Sequence, residues 1–138
     1  MTVISDFIEV STRGRRDVAD ITGELRSIIE RHGVRDGIVV VFVPGSTAAL
    51  STIEYEPGLK QDMDRVLERL VPYGDRYAHH ETWHDDNGAA HVQAALIGPS
   101  LTIPVIKGEL TLGTWQQAVL IDCDTRPRKR KLAVQILY

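Results

Sequence analysis

The sequence is short of several things, and each shortage removes a class of protein. There is one cysteine, Cys123, so a disulfide scaffold is excluded and a reducing compartment fits. No apolar run approaches the roughly 18 residues of a membrane span. The opening MTVISDFIEV has neither the basic start nor the long apolar stretch of a signal peptide. Positive charge is not in excess: the formal net charge is −3 and the pI about 5.9, whereas a general nucleic-acid binder is usually basic. Repeats, low-complexity tracts and Pro/Ser/Gly linkers are missing too. The expectation is a soluble cytoplasmic protein with neither a nucleic-acid nor a membrane partner.

What remains is an ordinary globular balance, 43% hydrophobic and 25% charged over 138 residues. That suits one domain, residues 1–138, with a core that needs no staples. TVISDFIEVST and DVADI are strand-like, separated by a turn at Gly14. Thr22 has the chemistry of an N-cap for a helix through GELRSIIERH, ended by Gly33. GIVVVFVP, residues 37–44, reads as a strand buried on both faces. Leu59, Met63, Val66, Leu67 and Leu70 have helical spacing between Pro57 and Pro72. SLTIPVI, a Lys107-Gly108 turn, ELTLG, TWQQAVLIDCD and KLAVQILY then read as strands. Cys123, inside an apolar run, reads as a small core residue. The pattern predicts an α+β fold, two or three helices on mostly antiparallel sheet.

One stretch stands apart. HHETWHDDNGAAH, residues 79–91, holds His79, His80, His84 and His91, four of the five histidines in the chain. Imidazole is a common ligand for zinc and other divalent ions. His80 and His84 are four apart, but TWHDDNG is a poor helix and a good turn, so the segment is expected to be a loop. GAAHVQAALIG could then form a short helix carrying His91 inward. Asp85, Asp86 and Asn87 add oxygen donors that can ligate a metal, orient a ligating histidine or act as bases. The bland reading is a polar surface turn.

Other groups could line a site. Gly45, Ser46 and Thr47 follow the apolar strand and offer two hydroxyls to a phosphate or carboxylate, although the lysine and spacing of a P-loop are absent. Glu54 and Glu56 share a face if extended. Thr114, Trp115 and Gln116 follow a glycine that permits close approach. RPRKRK has five basic residues in six. Such runs are usually solvated loops, but Arg126, just past the β segment, is the one expected to reach an anion.

VFVPGSTAALSTIEYEPGL, HHETWHDDNGAAHVQAALIGPSLTIPV and LGTWQQAVLIDCDTRPRKRKLAVQIL together resemble the YjbQ family, UPF0047, over about residues 5–138. The resemblance implies a YjbQ-like fold of two packed sheets, a homotrimer, and a pocket near a subunit boundary. It implies the activity of secondary thiamine-phosphate synthases, which join a pyrimidine diphosphate to a thiazole phosphate and release diphosphate. By position it implies Glu56, Asp86 and Asn87 as catalytic groups. His80 or its neighbour His79, together with His91, matches the metal-capable histidines, and His84 is a further candidate ligand. Ser46, Thr47, Thr114, Trp115, Gln116 and Arg126 fall to the substrate. A divalent ion would suit diphosphate release: zinc from the histidines, magnesium or manganese from phosphate chemistry. One departure stands out: many members have Pro-His-Thr-Thr where this chain has Pro44-Gly45-Ser46-Thr47.

Three functions follow: a metal-assisted enzyme acting on a phosphorylated heterocycle, a pocket that binds a small anion or metabolite without chemistry, or a structural metal site holding a trimer together.

Overall fold

A computed structural model describes residues 1–138. Eight strands and four helices follow one another as β1 (Val3–Thr12), β2 (Asp17–Asp20), α1 (Thr22–Arg31), β3 (Gly37–Phe42), β4 (Ala48–Ile53), α2 (Pro57–Leu70), α3 (Ala78–Trp83), α4 (Gly88–Ile97), β5 (Ser100–Ile106), β6 (Glu109–Leu110), β7 (Gln117–Asp122) and β8 (Arg128–Leu137). Every pairing is antiparallel. A five-stranded sheet runs β1-β8-β3-β5-β6 and a three-stranded sheet runs β2-β7-β4. The expected α+β class with two packed sheets is what forms. No helix is long and apolar enough to cross a membrane.

Alternation explains the packing. In β8, Leu132, Val134 and Ile136 point inward and are buried, while Lys129, Lys131 and Gln135 point out. In β7 every residue after Gln117 is buried: Ala118 and Leu120 join a 19-residue apolar core between the sheets, and Val119 and Ile121 join a smaller cluster with Ala90 of α4. The three-stranded sheet is thus sandwiched, with α4 on its far face. Leu25, Ile28 and Ile29 of α1 enter the larger core. Each such side chain contributes about 1.5–3 kcal/mol on burial.

Several expectations change. There are four helices, because α3 forms within the histidine stretch; its end is set by His84, whose left-handed φ of 55° stops the helix. Thr22 is inside α1 rather than capping it. Asp20 accepts the Thr22 N–H at 2.9 Å, and the Thr22 hydroxyl accepts the Ala118 N–H at 2.9 Å. The helix is thereby tied to the start of β7. β3 is buried on one face only: Ile38 and Phe42 are 42% and 45% exposed on the outer face of the large sheet. In α2 only Leu67 is buried, and Val66 and Leu70 face solvent. Ion pairs from Arg16 to Asp64 and Glu68, at 2.6 and 2.9 Å, help hold this helix.

Candidate functional site

The antiparallel pair β4–β7 has two ends, marked by Ala48 opposite Asp122 and Ile53 opposite Gln117. Five residue-to-residue steps of strand separate them, about 17 Å. The residues singled out in the sequence divide between these ends.

At the Gln117 end are Glu56, Thr114, Trp115 and Gln116. Gly113 to Gln116 is a turn rather than the start of a strand. The Gln116 N–H donates to the Gly113 carbonyl at 3.1 Å, and the Gln116 side chain accepts the Gly113 N–H at 3.0 Å. Trp115 projects from this turn, 74% exposed. The Glu56 carboxylate accepts the N–H groups of Gly58, at 2.9 Å, and of Leu59. Glu56 is therefore the N-cap of α2, satisfying donors that the first helical turn leaves open.

At the Asp122 end the histidines gather. Asp85 Oδ1 is 2.9 Å from His79 Nδ1. An ionised carboxylate only accepts, so in the neutral ring Nδ1 is the donor and Nε2 the nitrogen with the lone pair; no group in the fold bonds to Nε2. The ring of His91, on α4, is 4.3 Å from that of His79, centroid to centroid. Burial lowers the pKa of His91, and proximity to His79 lowers it further against the opposing pull of Asp124 and Asp85. His91 is therefore mainly neutral at pH 7.

His80 has a different task. Its Nε2 accepts the Gly88 N–H at 3.0 Å, the first donor of α4. A side chain at Gly88 would put its Cβ 2.6 Å from Tyr77 Cβ and 3.0 Å from His80 Nε2, so this close approach requires glycine. His84 is exposed at the end of α3. The structure thus sets His79, not His80, beside His91 and leaves His84 apart. No three His, Cys, Asp or Glu side chains converge as an ion-holding set. The expected trio of His80, His84 and His91 does not come together around a common point in the chain.

Beneath the histidines is a buried charge network. Asp122 is fully buried and accepts Arg130 Nε and Nη2, each at 2.8 Å, and the Thr12 hydroxyl at 2.6 Å. Thr47 accepts Arg130 Nη2 at 2.8 Å and donates to Asp124 at 3.0 Å. Arg128 pairs with Asp124 at 2.5 Å. Burial opposes ionisation of Asp124, but the Thr125 N–H, the Thr47 hydroxyl, Arg128 and Asn87 together hold its carboxyl below the ordinary value. Asp86 accepts the Thr125 hydroxyl at 3.1 Å, and Asn87 keeps a buried Oδ1 with no donor. These two residues therefore join the histidine segment to the end of β7. Burial pushes the Cys123 thiol up to about 12, so it is no nucleophile.

Above this network a cavity of about 250 Å³ is lined by Gly45, Ser46, Ala48, His91, Ala94, Ala95 and Pro99. Ser46 and Thr47 are both at this end. Arg126 points to solvent and pairs with no carboxylate. The buried cation is Arg130, four residues on. The sequence carried a signal for it: Arg130 is two before Leu132 in the alternation that sends Leu132, Val134 and Ile136 inward.

The sequence pattern of the UPF0047 protein YjbQ-like family matches residues 6–138. A UPF0047 protein of Archaeoglobus fulgidus is 39% identical over 130 residues, covering 94% of this chain and 98% of that protein. One from Mycobacterium tuberculosis is 37% identical over 134 residues, covering 96% and 97%. Among solved structures, a YbjQ-like protein of unknown function from Sulfolobus solfataricus superposes with a TM-score of 0.91 at 34% identity, covering 98% of this chain and 96% of that one. A hypothetical protein from Aeropyrum pernix gives 0.90 at 34% identity, covering 97% and 98%. Neither description states an activity. Fold, length and sequence agree, and the chain belongs to the UPF0047 YjbQ-like family.

Proposed function

We propose that the Asp122 end is an acid–base site for a small ligand and that the protein is a transferase of the thiamine-phosphate synthase type, acting on a phosphorylated heterocycle. One observation carries this reading: His79 is held through Nδ1 by Asp85 at 2.9 Å and stands 4.3 Å from the ring of His91, with its own Nε2 free. A carboxylate behind an imidazole fixes the tautomer and strengthens the opposite nitrogen as a base. His79 would take a proton from the pyrimidine amino group at its Nε2 as diphosphate leaves, the thiazole nitrogen attacking with its own lone pair, and neutral His91 would position the ligand. Ser46 and Thr47 line the same end of the fold.

A second reading, a pocket that binds a small anion without chemistry, draws on two observations. The cavity is small, about 250 Å³, and Gly45 stands where the resembling pattern has histidine. Turnover separates the two readings. Tag-free protein is given a pyrimidine diphosphate and a thiazole phosphate, and released diphosphate is counted. Many diphosphates per chain support the enzyme. Saturable binding with no release, across this pair and related heterocycles, supports the second reading.

The assembly we propose is a homotrimer. The outer face of the large sheet supports self-association, since Phe7, Ile38, Phe42 and Ile106 are each at least 42% exposed there with no helix over them. Sedimentation at micromolar concentration tests it; a monomer would reject it.

A further inference from the structure

We propose that Arg130 is the anion-holding residue of this pocket, and that Gly45 is what lets a ligand reach it. The inference rests on the reading of the Asp122 end as a ligand site and adds the donor that fixes the ligand's anionic oxygen. The Arg130 side chain is 5% exposed. Its Nε and Nη2 are committed to Asp122 and Thr47. Its Nη1 donates to nothing in the fold, yet it is not among the buried polar atoms sealed without a partner. One face of a fixed guanidinium is left available.

Gly45 occupies the gap in front of it. The backbone there has φ of 153°, a region that side chains rarely adopt. A Cβ built on Gly45 would meet Arg130 Nη1 at 3.1 Å and no other heavy atom within 4 Å, chain neighbours aside. The space is open apart from a nitrogen at hydrogen-bonding distance. Gly45 also lines the cavity that holds Ser46 and His91. An oxygen entering past Gly45 would find two directed N–H bonds that the protein has already paid to hold in place.

The electrostatics select the class of ligand. Asp122 and Asp124 balance Arg128 and Arg130 in the same network. With no surplus charge, attraction comes from the direction of the N–H bonds. Asp124 Oδ2 is 4.0 Å from Arg130 Nη2 and disfavours a dense polyanion. The site suits one terminal anionic group, a carboxylate or a phosphate monoester such as the thiazole phosphate, rather than a diphosphate. Where the resembling pattern has histidine at this position, a side chain would fill the gap. Gly45 therefore exchanges that imidazole for access to Arg130.

The test uses wild-type protein carrying ¹⁵N-labelled arginine and histidine, titrated with inorganic phosphate and separately with acetate. The expected result is a saturable shift of the Arg130 side-chain signals by at least one anion, with Arg26 unmoved. Gly45→Ala, confirmed as folded by its melting transition, should bind that anion about tenfold or more weakly, the weight of one charge-assisted hydrogen bond. If His91 responds to either anion while Arg130 stays fixed to saturation, the Arg130 inference falls and the site stands. Unchanged affinity in folded Gly45→Ala also overturns it. If neither His91 nor Arg130 responds, both the inference and its parent reading fail.

Discussion

Replacing Asp122 with alanine should be among the costliest single changes in the chain. Asp122 is fully buried and accepts two bonds from Arg130 at 2.8 Å, one from Thr12 at 2.6 Å and the Asp124 N–H at 3.1 Å. Without it, the Arg130 guanidinium stays 5% exposed, with Thr47 for a partner and Asp124 no closer than 4.0 Å. Removing one partner of a buried pair costs about 3–5 kcal/mol, chiefly because the remaining charge is uncompensated. That is a large share of the roughly 5–15 kcal/mol that keeps a domain folded. Urea unfolding followed by circular dichroism measures it, and the melting temperature should drop by roughly 10–20 °C. The double variant Asp122→Leu/Arg130→Met removes both charges and should recover at least half of the loss. A single variant that loses under about 1 kcal/mol, or a double variant no better than the single, would refute the reasoning.

Other consequences test other parts of the account. Glu56→Ala should cost about 1 kcal/mol through loss of the α2 cap and leave any turnover nearly intact; abolished turnover at unchanged stability would return Glu56 to the chemistry. Asp6 has its pKa lowered to about 2 by the His32 hydrogen bond, the Phe7 N–H and Arg31. Its contribution to stability is whole above the ordinary carboxylate pKa near 4 and is lost as the pH falls toward 2. Asp6→Asn should flatten that acid limb in denaturation curves taken across the range. His91 should titrate below the ordinary histidine value by NMR; Asp85→Asn should lower its midpoint further, and His79→Gln should raise it, because these neighbours act in opposite senses.

The fold was largely readable because its strands obey strict alternation. The TVISDFIEVST, SLTIPVI and KLAVQILY segments each have one inward face, and each becomes a strand of the large sheet. The sequence is ambiguous where a local signal has two physical outcomes. Thr22 can cap its own helix or satisfy a neighbouring strand, and only the packing of α1 against β7 decides. Leu112-Gly113-Thr114-Trp115-Gln116 resembles a strand until the Gln116 side chain closes the Gly113 turn. Glu56 before Pro57-Gly58 carried a helix-start signal that was legible without coordinates. The histidine segment stands out in the sequence by composition, but the division of labour between His79 and His80 does not. It depends on α3 turning one imidazole toward Asp85 and the next toward the start of α4. Arg126 is the basic residue nearest in sequence to Asp124, but the inward parity of β8 falls on Arg130.

In the proposed function His79 is the working imidazole. The most direct measurement is diphosphate release from a pyrimidine diphosphate and a thiazole phosphate by wild type, His79→Gln and His80→Gln, with each melting temperature recorded alongside. Loss of a general base costs about 10²–10⁴-fold. His79→Gln should lose that much at an unchanged melting temperature, while His80→Gln should melt earlier and, where folded, keep most of its rate. A folded His79→Gln protein that releases diphosphate at the wild-type rate would contradict the account.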